Sequence, residues 1–197
     1  MKKEFKISLI FLLVMTVLTG VIYPVGITLI AKTCFPHQAA GSLIVENGKI
    51  LGSELIGQNF EDPKFLWSRL SATVPAYNAA ASSGSNLGPS NPALIDNAKA
   101  RIDLLKIGAL KITGTDTTKS IPVDLVTSSA SGLDPHISPA AAEYQVPRIA
   151  HISHLDEIQI RAIIQENTEG RTFGFLGEPR VNVLKVNLAL HQLYTSK

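Results

Sequence analysis

Apolar residues are laid along this chain in two different ways. From Ile7 to Ala31, twenty-five residues pass without an Asp, Glu, Lys, Arg or His, and only Ser8, Thr16, Thr19, Tyr23 and Thr28 interrupt the hydrocarbon character. As a helix that run spans ~37 Å, enough to cross a ~30 Å hydrocarbon core. Lipid offers no partner to backbone N–H and C=O groups, so a single crossing of this kind must be helical. After it the apolar positions become periodic and short. Leu43-Ile44-Val45 and Lys49-Ile50-Leu51 flank Asn47-Gly48, which predicts a hairpin with a type I′ turn. Phe65-Leu66-Trp67 predicts a second strand region and Ile121-Pro122-Val123-Asp124-Leu125-Val126 a third. Leu94, Ala98, Ile102 and Leu105 recur at helical spacing behind Asn91 as N-cap and Pro92 at the first helical position, with Gly108 as the stop. Ser138-Pro139 repeats the cap device and predicts a short helix ending near Pro147. Ser153 is read as the cap of a helix turning Leu155, Ile158, Ala162 and Ile163 inward, and Asn182 as the cap of one using Val183, Val186, Leu190 and Leu193.

Short strands mixed with segregated helices predict an α+β fold, and about 165 residues beyond the helix suffice for one core. The expected organisation is therefore a short N-terminus over 1–6, a transmembrane helix over 7–31 and one α+β domain over 33–197.

Charge assigns the sides. Lys2, Lys3 and Lys6 precede the apolar run, whereas only Lys32 follows before Lys49. The positive-inside bias keeps the N-terminus in the cytoplasm and places the large domain outside it. A cleaved signal peptide would carry a shorter apolar core, and Ala31-Lys32-Thr33-Cys34 sets a lysine where a lipoprotein cleavage box needs a small residue. The predicted pI of 8.7 belongs to the anchor region. Setting Lys2, Lys3, Lys6 and Lys32 aside from eighteen Lys and Arg, and Glu4 from sixteen Asp and Glu, leaves 14 against 15. A domain at −1 offers no footprint for a nucleic acid. Cys34 is the one cysteine, so no internal disulfide can form.

The densest chemistry lies between Asp124 and Ser138, where Ser128, Ser129, Ser131, Ser138, Asp124, Asp134 and His136 fall within fifteen residues. These are the components of a hydrolase, and a membrane-tethered extracytoplasmic hydrolase is the alternative reading. A triad, however, needs side chains converging from separate elements, and no G-x-S-x-G elbow is present. Ser and Asp clusters of this kind also tie down their own loop backbone. His151 and His154 have a spacing that could share a metal, but no H-E-x-x-H pattern supports it. Ile112-Thr113-Gly114-Thr115-Asp116 faintly echoes the phosphorylated-aspartate motif of ion pumps in the wrong order, and no phosphate-binding loop is found. The apolar helix carries no charge for an ion path of its own.

Three stretches together resemble one family. They are Tyr77-Asn78 with Gly84-Ser85-Asn86-Leu87-Gly88-Pro89-Ser90-Asn91-Pro92, then Val123 to Ala142 with Gly132-Leu133-Asp134-Pro135-His136-Ile137-Ser138-Pro139, and Leu176-Gly177-Glu178-Pro179-Arg180-Val181-Asn182-Val183-Leu184. The chain is similar to the C subunit of Kdp-type potassium-transporting P-type ATPases over nearly its whole length. It departs from the family's Arg-Pro-Ser-Ala pattern at Ser68-Arg69-Leu70-Ser71-Ala72. The resemblance implies a non-catalytic accessory subunit of the cell inner membrane. Its implied partners are a channel-like potassium-binding subunit, an ATP-hydrolysing P-type subunit, a small single-span subunit and the lipid bilayer. It implies no cofactor of the chain's own. It also implies a catalytic chaperone that raises the ATP affinity of the hydrolysing subunit, with ATP contacts at Ser129, Ser131, Gly132 and Gln145. Cytoplasmic ATP and a domain outside the cytoplasm do not meet, so a structural reading stands beside it: the domain caps the external mouth of the channel-like subunit and stabilises the assembly.

Overall fold

The computed structural model describes residues 2–110 and 120–195, with the side chains of 107–110 left aside. Ile112–Asp116 lies outside the described residues. The chain forms two compact units, Met1–Ser53 and Glu54–Lys197.

In the first unit, α1 (Lys2–Val17), one π-helical turn (Leu18–Ile22) and α2 (Tyr23–Cys34) run on as a single 33-residue helix. The π turn contains Gly20 and sits just ahead of Pro24, whose missing N–H leaves one carbonyl of the preceding turn without its helical partner. None of the helix's residues is buried by protein. The Thr19 hydroxyl donates to the Met15 carbonyl at 2.7 Å, which hides a polar group inside the helix. A single turn, α3 (Pro36–Ala39), leads into the hairpin of β1 (Leu43–Glu46) and β2 (Lys49–Ser53). Asn47 (φ 51°) and Gly48 (φ 75°) both take the left-handed conformation that a type I′ turn requires, as the sequence predicts.

The second unit is α+β. Its sheet has three short strands, β3 (His136–Ile137), β4 (Thr168–Glu169) and β5 (Arg180–Asn182), in the antiparallel order β3-β5-β4. Among the described residues four α-helices accompany it: α4 (Pro92–Leu110), α5 (Pro139–Ser153), α6 (Glu157–Glu166) and α7 (Val183–Thr195). The core lies where α5, α6 and α7 meet the sheet, with Ala141, Val146, Ile149, Ile160, Val181, Val186 and Leu190 all fully buried.

Three predicted caps hold. The Asn91 carboxamide accepts from Ala93 N–H at 3.0 Å, Ser138 Oγ from Ala141 N–H at 3.1 Å, and Asn182 Oδ1 from Lys185 N–H at 3.1 Å. Other expectations are corrected. α4 does not stop at Gly108 but continues to Leu110, a glycine being tolerated in a helix at ~1 kcal/mol. α5 passes through Pro147 to Ser153, because its buried residues Val146, Arg148 and Ile149 anchor both sides of the single lost hydrogen bond. Ser153 ends α5 rather than opening α6; His154 turns left-handed (φ 55°) and Asp156 is the cap, accepting from Ile158 N–H at 3.0 Å. Ile160 and Ile164 face inward, whereas Ile158 and Ala162, expected inward, are exposed.

Neither Phe65–Trp67 nor Ile121–Val126 is a strand. In the latter, Pro122 withholds an N–H, and Val123–Leu125 closes as a 3₁₀ turn with Leu125 N–H on Pro122 O at 3.1 Å. Phe65–Trp67 is extended, but its ladder is made by side chains. Asn187 Oδ1 accepts Leu66 N–H at 2.8 Å while its amide donates to Leu66 O at 2.9 Å. Gln145 treats Trp67 the same way, at 2.8 and 3.2 Å. Two helix carboxamides thus replace a neighbouring strand.

Candidate functional site

The Ser-rich segment predicted to carry chemistry is an ordered loop tied down by its own side chains and by residues 57–84. Ser129 is buried; its N–H donates to Leu70 O at 3.2 Å and its Oγ accepts Gly132 N–H at 2.9 Å. Ser131 Oγ accepts Leu133 N–H at 3.1 Å, and its carbonyl receives Ser83 N–H and Ser82 Oγ, both at 3.0 Å. Gly132 stands at φ +67°, and its carbonyl accepts from Ser71 Oγ at 2.7 Å. A Cβ there would come within 2.7 Å of both Ser83 O and Thr73 Cγ2, so only glycine fits.

Asp134 is the hub below this loop. One oxygen meets Arg69 Nη1 at 3.2 Å, and the other accepts His136 N–H at 3.0 Å with His136 Nδ1 at 3.6 Å. Burial works to raise its carboxyl, but hydrogen bonds from His136 and Arg69 outweigh that and hold it below the usual carboxylate range. Arg69 also donates to Ser128 O at 3.1 Å, and Tyr77 OH donates to Arg69 O at 2.8 Å. Burial pushes the Tyr77 phenol up. The neighbouring Asp124 carboxylate accepts Ser138 N–H at 2.7 Å and so couples the 3₁₀ turn to the start of α5.

The arrangement does not form a Ser-His-Asp triad. His136 Nε2 is buried with no hydrogen-bond partner, so no serine hydroxyl is paired to that imidazole as a triad requires. Among the described residues there is no group of three His, Cys, Asp or Glu able to hold a metal, and His151 and His154 are exposed.

Of the residues expected to contact ATP, Ser129, Ser131 and Gly132 are brought together in the loop. Gln145 is placed apart from them, on α5, with both ends of its carboxamide bonded to Trp67 and its Oε1 also accepting from Arg148 at 2.6 Å. Two guanidinium groups lie over the Trp67 ring, Arg101 at 4.8 Å and Arg148 at 4.4 Å from its centroid. Arg148 donates to Pro63 O and Phe65 O as well, and burial brings it down to about 9. A cleft of about 690 Å³ runs beside this stack, lined among others by Phe60, Trp67, Arg69, Asn97, Arg101 and Leu104. Sequence reasoning passed over Arg69, Arg101, Arg148 and Asn187. Arginines carry no local pattern, whereas the lone tryptophan was a visible signal of a built site.

Residues 5–192 match the family described as KdpC, K+-transporting ATPase, c chain. A potassium-transporting ATPase KdpC subunit of Methylococcus capsulatus is 56% identical over 194 residues, covering 98% of this chain and 100% of the relative. KdpC subunits of Burkholderia orbicola and Burkholderia mallei are 55% and 53% identical over 191 residues, each covering 96% of both chains.

Proposed function

Because the chain belongs to the KdpC family of potassium-transporting ATPase subunits, we propose that it is a non-catalytic accessory subunit, held by one helix in the inner membrane, whose outer domain stabilises the assembly at the mouth of the potassium-binding subunit. The observation that carries this reading is the pairing of a 33-residue, largely apolar helix, unburied by its own protein, with a folded unit whose Ser129–Gly132 loop, Gln145 and Asn187 are engaged in internal hydrogen bonds. The helix offers no charged side chain between Ile7 and Ala31, so ions pass through a partner and not through it.

The domain's part in this reading is mechanical. Arg69–Asp134, the Ser129–Gly132 loop and the Gln145 and Asn187 carboxamides lock segments distant in sequence into one body. The finer reading, in which Ser129, Ser131, Gly132 and Gln145 raise ATP affinity, requires the Gln145 carboxamide and the Gly132 N–H to leave their bonds, whereas the Ser129 and Ser131 hydroxyls accept from backbone N–H groups and keep an O–H to donate. The stabilising reading requires no such release, and it agrees with lysines clustered before the helix, which favour a domain outside the cytoplasm.

Protease shaving of right-side-out vesicles tests it. The expected result is degradation of residues 33–197 without permeabilisation, with the exposed Cys34 labelled by a membrane-impermeant maleimide. Protection of both until the membrane is opened, with unfolded controls cut, overturns the reading.

A further inference from the structure

The connection between β4 and β5 carries the most conspicuous apolar exposure outside the N-terminal helix. Phe173 is 84% exposed, Phe175 69% and Leu176 49%, all on one turn. Together they present on the order of 400 Å² of apolar surface, a patch of the size that marks a contact site on a folded protein.

The turn is built to hold them out. Thr172 and Leu176 exchange N–H···O=C bonds, both 2.9 Å, and Gly174 N–H donates to Arg171 O at 3.1 Å. Phe173 takes the left-handed conformation (φ 55°), which a bulky aromatic adopts only when the surroundings impose it; Gly174 and Gly177 follow at φ 80° and 76°. Ion pairs clamp the base on either side, Arg171 with Glu178 at 2.7 Å and Arg180 with Glu169 at 2.6 Å. A pre-ordered tip loses little freedom on binding.

Charge decides what it binds. Residues 168–182 contain two arginines and two glutamates, each arginine paired with a glutamate, and no Lys, Trp or Tyr. A bilayer surface is engaged through Lys and Arg on anionic headgroups and through Trp and Tyr at the interface; here both arginines are held by glutamates and there is no Trp or Tyr. An apolar pocket in another protein asks only for protruding aromatic side chains inside a neutral surround. We propose that Phe173, Phe175 and Leu176 form a rigid knob that seats in an apolar pocket of another polypeptide subunit of the ATPase. The proposal rests on the reading of this chain as a complex subunit and adds the surface through which it docks.

The test is co-purification of the full chain with the other subunits, pulled down in mild detergent by a tag on one of them. Phe173→Ser with Phe175→Ser is expected to weaken retention about 100-fold or more, whereas Phe173→Leu with Phe175→Leu keeps it near wild type. Because these side chains are exposed, the thermal transition of the full chain read from Trp67 fluorescence stays unchanged in both. Retention of the serine variant at the wild-type level overturns the knob. Failure of the wild-type chain to co-purify overturns the broader subunit reading instead. Independently, a photoreactive benzoylphenylalanine at position 173 is expected to cross-link to another subunit in the membrane-embedded complex. Adducts only with lipid, adducts with a second copy of this chain, or no adduct would each refute the proposal.

Discussion

Asn187→Leu tests the claim that side-chain carboxamides stand in for a strand. Leu66 is 0% exposed and Asn187 2% exposed, so no water reaches the pair directly. The substitution leaves Leu66 N–H and C=O buried without partners while keeping four side-chain heavy atoms branched at Cγ, so hydrogen bonding is removed without opening a cavity. Each orphaned group costs about 1–3 kcal/mol, and part of that is offset by the added apolar burial of leucine, so the net loss is about 2–4 kcal/mol. For a folding unit of the size of Glu54–Lys197, that corresponds to a Tm drop of roughly 8–15 °C. Trp67 is the sole tryptophan and sits one residue away, so its fluorescence in detergent-solubilised full chain reports the transition. Native-state hydrogen exchange gives a second readout, since the Leu66 and Trp67 amides should lose protection ahead of the core of α5. A Tm change below about 3 °C, or unaltered exchange at Leu66, would show that the extended segment is held by packing alone and that the carboxamide ladder carries no weight.

Gly132→Ala places a Cβ against Ser83 O and Thr73 Cγ2 at a positive-φ position, so a loss of at least about 2 kcal/mol by thermal unfolding is expected, and a near-neutral result would contradict the loop geometry. Asp134 is held below its ordinary value, so its stabilisation is complete above the unfolded value of about 3.9 and is lost as pH falls through the lower folded one. Asp134→Asn should therefore lower Tm at neutral pH and flatten the decline in Tm below about pH 4; an acid slope identical to wild type would discredit the Arg69–Asp134–His136 cluster. His154→Gly relieves a left-handed residue at the end of α5 and should raise stability by about 1 kcal/mol, measured in the same melt, with a decrease arguing that the imidazole makes a contact that matters.

What could be read from sequence divides by the range of the interaction. Asn47-Gly48, Asn91-Pro92, Ser138-Pro139 and Asn182 each act within four residues, and each was placed correctly because turn and cap chemistry is local. Ser153 and Asp156 are both competent caps three residues apart. Choosing between them needed the left-handed turn at His154, which follows from how α5 and α6 pack and not from the identity of the cap. Pro147 misled for the same reason: a proline breaks an isolated helix, but here Val146, Arg148 and Ile149 are buried on both sides of it.

The extended segment was harder still, because its partners lie 78 and 121 positions away on two different helices. One trace of them was nevertheless present. Asn187 falls beside Val183, Val186 and Leu190, and a carboxamide inside an apolar helix face has to meet buried polar backbone to be tolerated. Read that way, Asn187 and Gln145 point to an unpaired extended segment elsewhere in the chain, and Phe65-Leu66-Trp67 is the apolar run that needs one. The same reasoning gives Gln145 a structural role. A side chain whose oxygen accepts from both Trp67 N–H and Arg148, and whose amide donates to Trp67 O and Ala141 O, holds α5, the Trp67 segment and a buried guanidinium in register. Its polarity inside the core is accounted for by that work, so a ligand is not needed to explain why a glutamine stands there.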